Sequence, residues 1–281
     1  MFPLNTIIKI LKDKSNKRFD DFKVDDTLKS IKKIAEDAYL DNPTWLGGDE
    51  EFVCLFIDLD NSSKLSFKKH PQTMAKIYDY FTQNVIDIMN QDGMRADYID
   101  IKGDGAFGIY EGDDASLRAF CAGMTFKTFF EKYIRSKFQL DNNIINCKLS
   151  IDKDKILVRK LGKRGDRNNN EVWAGRVVNN TSKISGLSKE IYKLGINGIT
   201  PNERSLFIIS DKIYKNLLNK KEYAVISCGH DEKGNESLKV DVWQKHDCSN
   251  NEEVFGDHVW FTGAVWCDKC GENYMKNILT N

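Results

Sequence analysis

Between Glu51 and Asp58 the chain reads Phe-Val-Cys-Leu-Phe-Ile without a polar interruption. An apolar run of that length is a strand buried on both faces, so the rest of the chain must supply layers to cover it. The cover follows directly. Pro71 to Asn90 reads as a helix whose Met74, Ile77, Phe81, Val85 and Ile88 form one apolar stripe. Ala96–Ile101, a tight Lys102-Gly-Asp-Gly105 turn and Ala106–Tyr110 read as a hairpin. A second helix is expected from Ala115 to Lys137, then strands near Ile144–Asp152 and Lys155–Lys160.

A basic polar loop, Gly162 to Asn170, leads into a helix expected over Trp173–Ile184. After Gly195 the pattern reads strand, helix, strand and strand, closing with Leu238–Trp243. Strand–helix–hairpin–helix–strand, with an added strand and helix, is the order of a ferredoxin-like α+β domain. Residues 1–48 form a Lys-rich helical leader with one amphipathic helix expected over Asp25–Leu40, stopped by Asn42-Pro43. Residues 49–245 make the main domain. Residues 246–281 read as an extension that holds three of the seven cysteines.

The charge is balanced, 42 Lys plus Arg against 42 Asp plus Glu, so a surface devoted to nucleic acid or anionic membrane is not expected. The N-terminal apolar run is broken by Lys9 and lacks a small-residue cleavage site, which argues against a signal peptide. No run approaches the roughly 18 apolar residues of a spanning helix. An odd cysteine count with no export signal fits a reducing cytoplasm, with thiols or a metal in place of a disulfide framework.

Three places can do chemistry. Asp58-Leu59-Asp60-Asn61-Ser62 sets carboxylates at a strand end before a helix start, where they can hold a hard cation while backbone amides face phosphate. An Asp at such a junction also serves as a plain helix cap. Asp104 lies in the hairpin turn, where Asp-Gly is a favoured turn pair in its own right. In a ferredoxin-like sheet both lie at one edge, as a two-metal centre requires. Asn179 and Lys183 are four apart on one helical face, able to orient a ribose and stabilise charge on phosphorus, or simply to face water.

Taken together, Asp58, the Gly103-Asp104 hairpin and Gly175-Arg-Val-Val-Asn179-Asn-Thr-Ser-Lys183 resemble the catalytic domain of class III nucleotidyl cyclases. The match runs from about Glu51 to Gly186. The resemblance implies a cyclase fold with two Mn²⁺ or Mg²⁺ ions per site on Asp58, Asp104 and the Leu59 carbonyl. It implies Asn179 on the ribose, Lys183 in place of the family's transition-state Arg, and a homodimer whose sites are shared between chains. Asn61, Ser62 and Arg176 are candidate nucleotide contacts.

The base-reading positions depart from the purine cyclases, which commonly carry a Lys four residues before the hairpin Asp. That position is Asp100 here, with Lys102 two residues on. A site lacking that donor should not hold a purine in the usual pose. The chain therefore is similar to the pyrimidine cyclases of bacterial Pycsar antiphage systems. The implied reaction takes UTP or CTP to the 3′,5′-cyclic nucleotide. An adenylate or guanylate cyclase with an atypical pocket, and a degenerate nucleotide-binding module, are the alternatives.

Three further features remain. Gly47-Gly-Asp-Glu-Glu-Phe52 nearly spells a diguanylate cyclase signature but precedes Asp58 and reads as an ordinary turn. Arg159, Lys160, Lys163, Arg164 and Arg167, with Arg95, are candidate triphosphate contacts. Cys267 and Cys270 form a C-x-x-C, a candidate half zinc site that either His246 with Cys248 or Cys228 with His230 would complete.

Overall fold

A computed structural model of the chain describes residues 4–26, 30–32, 44–138, 145–161, 170–195, 200, 203–220, 224–248 and 255–271. Its contacts fall into two units, Met1–Glu50 with Lys155–Gly175, and Glu51–Asp154 with Arg176–Asn281.

The first unit opens with helix α1 (Leu4–Asp20), whose Ile7, Ile8, Ile10 and Leu11 are exposed. The sequence pattern did not single out this helix. The helix expected over 25–40 lies mostly outside the described residues, and Lys23–Asp25 form strand β1. β1 pairs in parallel with the start of β2 (Thr44–Asp60), Lys23 opposite Thr44. Strand β2 therefore runs straight through Gly47–Phe52, which is not a turn. The end of β5 (Asn146–Leu161) pairs antiparallel with β6 (Asn170–Trp173), Val158 opposite Trp173. Trp173 is strand, so the following helix starts three residues later than expected.

The second unit carries α2 (Ser62–Lys68), α3 (Pro71–Met89), β3 (Tyr98–Lys102), β4 (Gly105–Tyr110) and α4 (Ala115–Phe129). Helix α4 continues through a π-helical turn (Phe130–Ile134) into α5 (Arg135–Lys137). Then come α6 (Arg176–Gly186), α7 (Ser188–Lys193), β7 (Phe207–Ser210), α8 (Asp211–Lys220), β8 (Gln244–Asp247) and β9 (His258–Thr262). The two strands expected over 144–160 are one continuous β5. The strand expected at 238–243 is an isolated bridge, Ile226 to Asp241, with Leu238 and Val240 left exposed.

The sheet order is β3-β4-β2-β5-β7-β9-β8. Its first four strands have the ferredoxin-like arrangement, with β4 and β2 in the middle of the motif and its last strand, β5, beside its first, β2. Strand periodicity divides the two faces. Val53, Leu55, Ile57 and Leu59 of β2 join the core of α3 and α4, where Phe81 meets Phe126 edge-on at 5.2 Å. Phe207 and Ile209 of β7 point into the same core, whereas Ile208 packs with Ile184, Leu187 and Ile191 of α6 and α7. Helix α6 thus covers the face opposite α3 and α4. Among the described residues no helix is long and apolar enough to cross a membrane.

Candidate active site

The last rung of the β2–β4 ladder sets Asp58 opposite Gly105, so Asp104 stands one residue beyond the rung. The turn residues are Gly103 and Asp104, between Lys102 and Gly105. Gly103 takes φ 64°, the positive value needed at the first position of a tight hairpin turn. Asp104 is thus inside the turn, not at its end. A Cβ on Gly105 would lie 2.8 Å from Asp58 Oδ1 and 2.8 Å from the Ile57 carbonyl. Only glycine lets the two strands close on the carboxylate here.

Alternation along β2 places Asp58 and Asp60 on the face away from the α3–α4 core, with Cys54, whose thiol hydrogen-bonds Thr181 of α6. Lys148 of β5 faces them, its Nζ 3.0 Å from Asp60 Oδ1 and 3.7 Å from Asp58 Oδ2. Sequence reading missed Lys148, because nothing local marks a lysine that meets a carboxylate across two strands. Asn61 is the one non-glycine residue with positive φ among those described, 58°, and its Nδ2 donates to Asp60 Oδ2 at 2.9 Å. This left-handed step ends β2 and turns the chain into α2 at Ser62.

Burial first, and then the neighbouring Asp104 carboxylate, push the Asp58 pKa up to about 6 against the pull of Lys148. The Leu59 amide also donates to Asp58. Asp104 Oδ2 is buried with no hydrogen-bond partner. A buried, unpartnered carboxylate oxygen beside a like-charged neighbour is unfavourable without a cation. The all-oxygen donor set, Asp58, Asp104 and the Leu59 carbonyl, suits Mg²⁺ or Mn²⁺.

Asn179 and Lys183 both lie on the exposed side of α6, whose Thr181 and Ile184 are buried. Lys183 lines an open cleft of about 520 Å³ with Arg176, Asn180, Asp152, Asp211 and His258. Neither Asp58 nor Asp104 lines that cleft. Asp100 and Lys102 stand two apart on β3 and pair with each other at 2.8 Å. Lys160 stands 3.9 Å from Glu171. Arg95 accepts a hydrogen bond at its carbonyl from Arg118. Lys163, Arg164 and Arg167 lie outside the described residues.

The C-terminal cysteines meet a pair from elsewhere. Cys228, His230, Cys267 and Cys270 present ligand atoms all within 4.8 Å of one another. His246 and Cys248, the other pair open from the sequence, are not part of this group; the Cys248 thiol donates to the His246 carbonyl instead.

No protein-family model matches the chain. It is 34% identical over 231 residues to a uridylate cyclase of Micromonospora echinofusca, covering 81% of this chain and 68% of that protein. It is 25% identical over 280 residues to a uridylate cyclase of Propioniciclava tarda, covering 98% and 80%. In fold it is similar to the guanylate cyclase domain of RhGC from Catenaria anguillulae, solved with GTP, at TM-score 0.52 and 15% identity, covering 77% of this chain and 98% of that one. The guanylyl cyclase Cya2 gives TM-score 0.52 at 15% identity, covering 79% and 96%.

Proposed function

The chain belongs to the uridylate cyclases, a branch of the class III nucleotidyl cyclases, and on that footing we propose that it converts UTP to 3′,5′-cyclic UMP and pyrophosphate. CTP is the competing pyrimidine substrate. The observation that carries this reading is the Asp58–Asp104 pair at one sheet edge, with a buried carboxylate oxygen left for a cation. Two Mn²⁺ or Mg²⁺ ions on Asp58, Asp104 and the Leu59 carbonyl would supply charge neutralisation for the triphosphate and acidify the ribose 3′-hydroxyl. In the reaction the 3′-oxygen bonds to the α-phosphorus, its proton is lost, and the bond to pyrophosphate breaks.

The chain's own groups have separate tasks. Asn179 orients the ribose and Lys183 places a cation against the charge growing on the α-phosphate. Asn61 and Ser62 turn the backbone at the end of β2 toward the phosphates, and Arg176 at the start of α6 adds charge. Asp100, paired with Lys102, presents a hydrogen-bond acceptor to the base edge. A purine ring nitrogen needs a donor at that point, so the pocket favours a pyrimidine. By the same resemblance the cyclic nucleotide acts as a second messenger in antiphage defence.

The test is incubation of the purified protein with Mn²⁺ and each of the four ribonucleoside triphosphates, with products identified by mass spectrometry. Cyclic UMP as the main product is expected. Cyclic AMP or cyclic GMP as the main product would overturn the base assignment while keeping the reaction.

A further inference from the structure

We propose that Cys228, His230, Cys267 and Cys270 form a closed, structural Cys₃His zinc site. The Sγ atoms of Cys228 and Cys267 are 3.5 Å apart, those of Cys267 and Cys270 are 3.1 Å apart, and Cys270 Sγ is 3.6 Å from His230 Nδ1. Zn–S bonds of about 2.3 Å and Zn–N bonds of about 2.0–2.1 Å set tetrahedral edges of roughly 3.5–3.8 Å. The four atoms therefore already stand close to the corners of such a site. A sulfur separation of 3.1 Å is well beyond a disulfide bond of about 2.0 Å.

The donor type separates this site from the active centre. Soft thiolates with one imidazole select zinc, whereas the oxygen set at Asp58 and Asp104 selects Mg²⁺ or Mn²⁺. Four protein ligands leave no open position, which marks a structural role. The surrounding backbone is arranged for thiolates. The Cys270 amide donates to Cys267 Sγ at 3.3 Å, and Gly229 at φ 77° turns the chain between Cys228 and His230.

The two halves come from segments that lie outside the regular sheet and meet beside the cluster, where the Asp268 amide donates to the Glu232 carbonyl at 2.9 Å. Across the described part of residues 224–243 only isolated bridges occur, Ile226 to Asp241 and His230 to Glu236. The other half follows a strap that crosses α4, where Lys127 Nζ donates to the Gly263 carbonyl at 2.8 Å and the Trp266 amide donates to Thr128 Oγ1 at 3.0 Å. Zinc would tie the irregular segment to that strap, doing the work that strand pairing does elsewhere.

The full-length protein, produced with zinc in the medium and dialysed, is analysed for metal by mass spectrometry and by X-ray absorption at the zinc edge. The expected result is one zinc per chain, with about three sulfurs at 2.3 Å and one nitrogen near 2.0 Å. Cys270→Ser should lose most of it and Cys248→Ser should keep it. Should the first variant fail to fold, the wild-type protein decides. A strong chelator should remove the zinc and lower Tm by about 5 °C or more, and Zn²⁺ but not Mg²⁺ should restore it. Less than about 0.2 zinc per chain overturns the proposal, as does zinc surrounded by oxygen and nitrogen alone. An intact mass lower by two hydrogens, joining Cys267 to Cys270, overturns it as well. None of these readouts depends on turnover, so the cyclase assignment and the zinc site stand or fall separately.

Discussion

Asp58 is held where its charge is costly. Its folded pKa, about 6, lies above the value of 3.8 for an unperturbed carboxyl. Between those values folding favours the protonated Asp58, so the contribution of this group to metal-free stability falls as pH rises from about 4 to about 6, then levels. Asp58→Asn removes that penalty. It should stabilise the metal-free protein by on the order of 2 kcal/mol above pH 6 and by nothing below pH 4, read by urea unfolding in chelator. The same variant should lose at least about 10³-fold in turnover with Mn²⁺, because on the proposed function the lost oxygen would be a metal ligand of the reacting site. A variant that is no more stable at pH 8, or one that keeps its activity, would contradict the assignment of Asp58. Asp58 and Asp104 were legible because each sits at the end of a local pattern, a strand run and a Gly-Asp turn. Lys148 was not, since its meaning depends on which strand lies beside β2.

At the scale of elements, periodicity gave α3 and the β3–β4 hairpin closely, since each is amphipathic or turn-bounded within a short window. It failed where tertiary contacts override a local break. Asp152 to Lys155 looks like a gap between strands, yet β5 passes through it, with Asp152 buried and its pKa raised by desolvation. Helix α4 is buried along most of its length, so no polar face marks its orientation. Its Gly123 is fixed by a neighbour far away in sequence. An added Cβ would clash with Phe207 Cζ and lie 2.8 Å from Cε1, in a ring with no exposed surface. Gly→Ala inside a helix ordinarily gains about 0.5–1 kcal/mol. Here overpacking should reverse the sign, and Gly123→Ala should cost about 1–3 kcal/mol. A midpoint in urea equal to or above that of the wild type would show that α4 and β7 can part without penalty.

For the molecule as a whole, the question is where the second half of the site comes from. Lys183 and Arg176 line a cleft that contains neither Asp58 nor Asp104, the carboxylates proposed to hold metal, which accords with sites completed between two chains. On the expectation that two chains share each site, Asp58→Ala and Lys183→Ala would damage opposite halves, so a mixed dimer would keep one intact site. Equal mixing of the two dead variants after subunit exchange should recover about a quarter of wild-type activity, since half the dimers are mixed and each holds one good site. Mixed dimers verified by differential tagging that show no activity would require each chain to build its own site.

The sequence alone determined the chain's α+β class and, through the resemblance of its motifs, its cyclase family, because both are carried by short runs. It also set the C-x-x-C of Cys267 and Cys270. Only the tertiary structure decided that Lys148 faces Asp58 and Asp60, that β9 lies between β7 and β8, and that Cys228 and His230 complete the cysteine pair. The physical reason is common to all three. Strand neighbours and side-chain clusters bring together residues tens of positions apart, and pairing across such loops leaves no mark in the local periodicity of either partner.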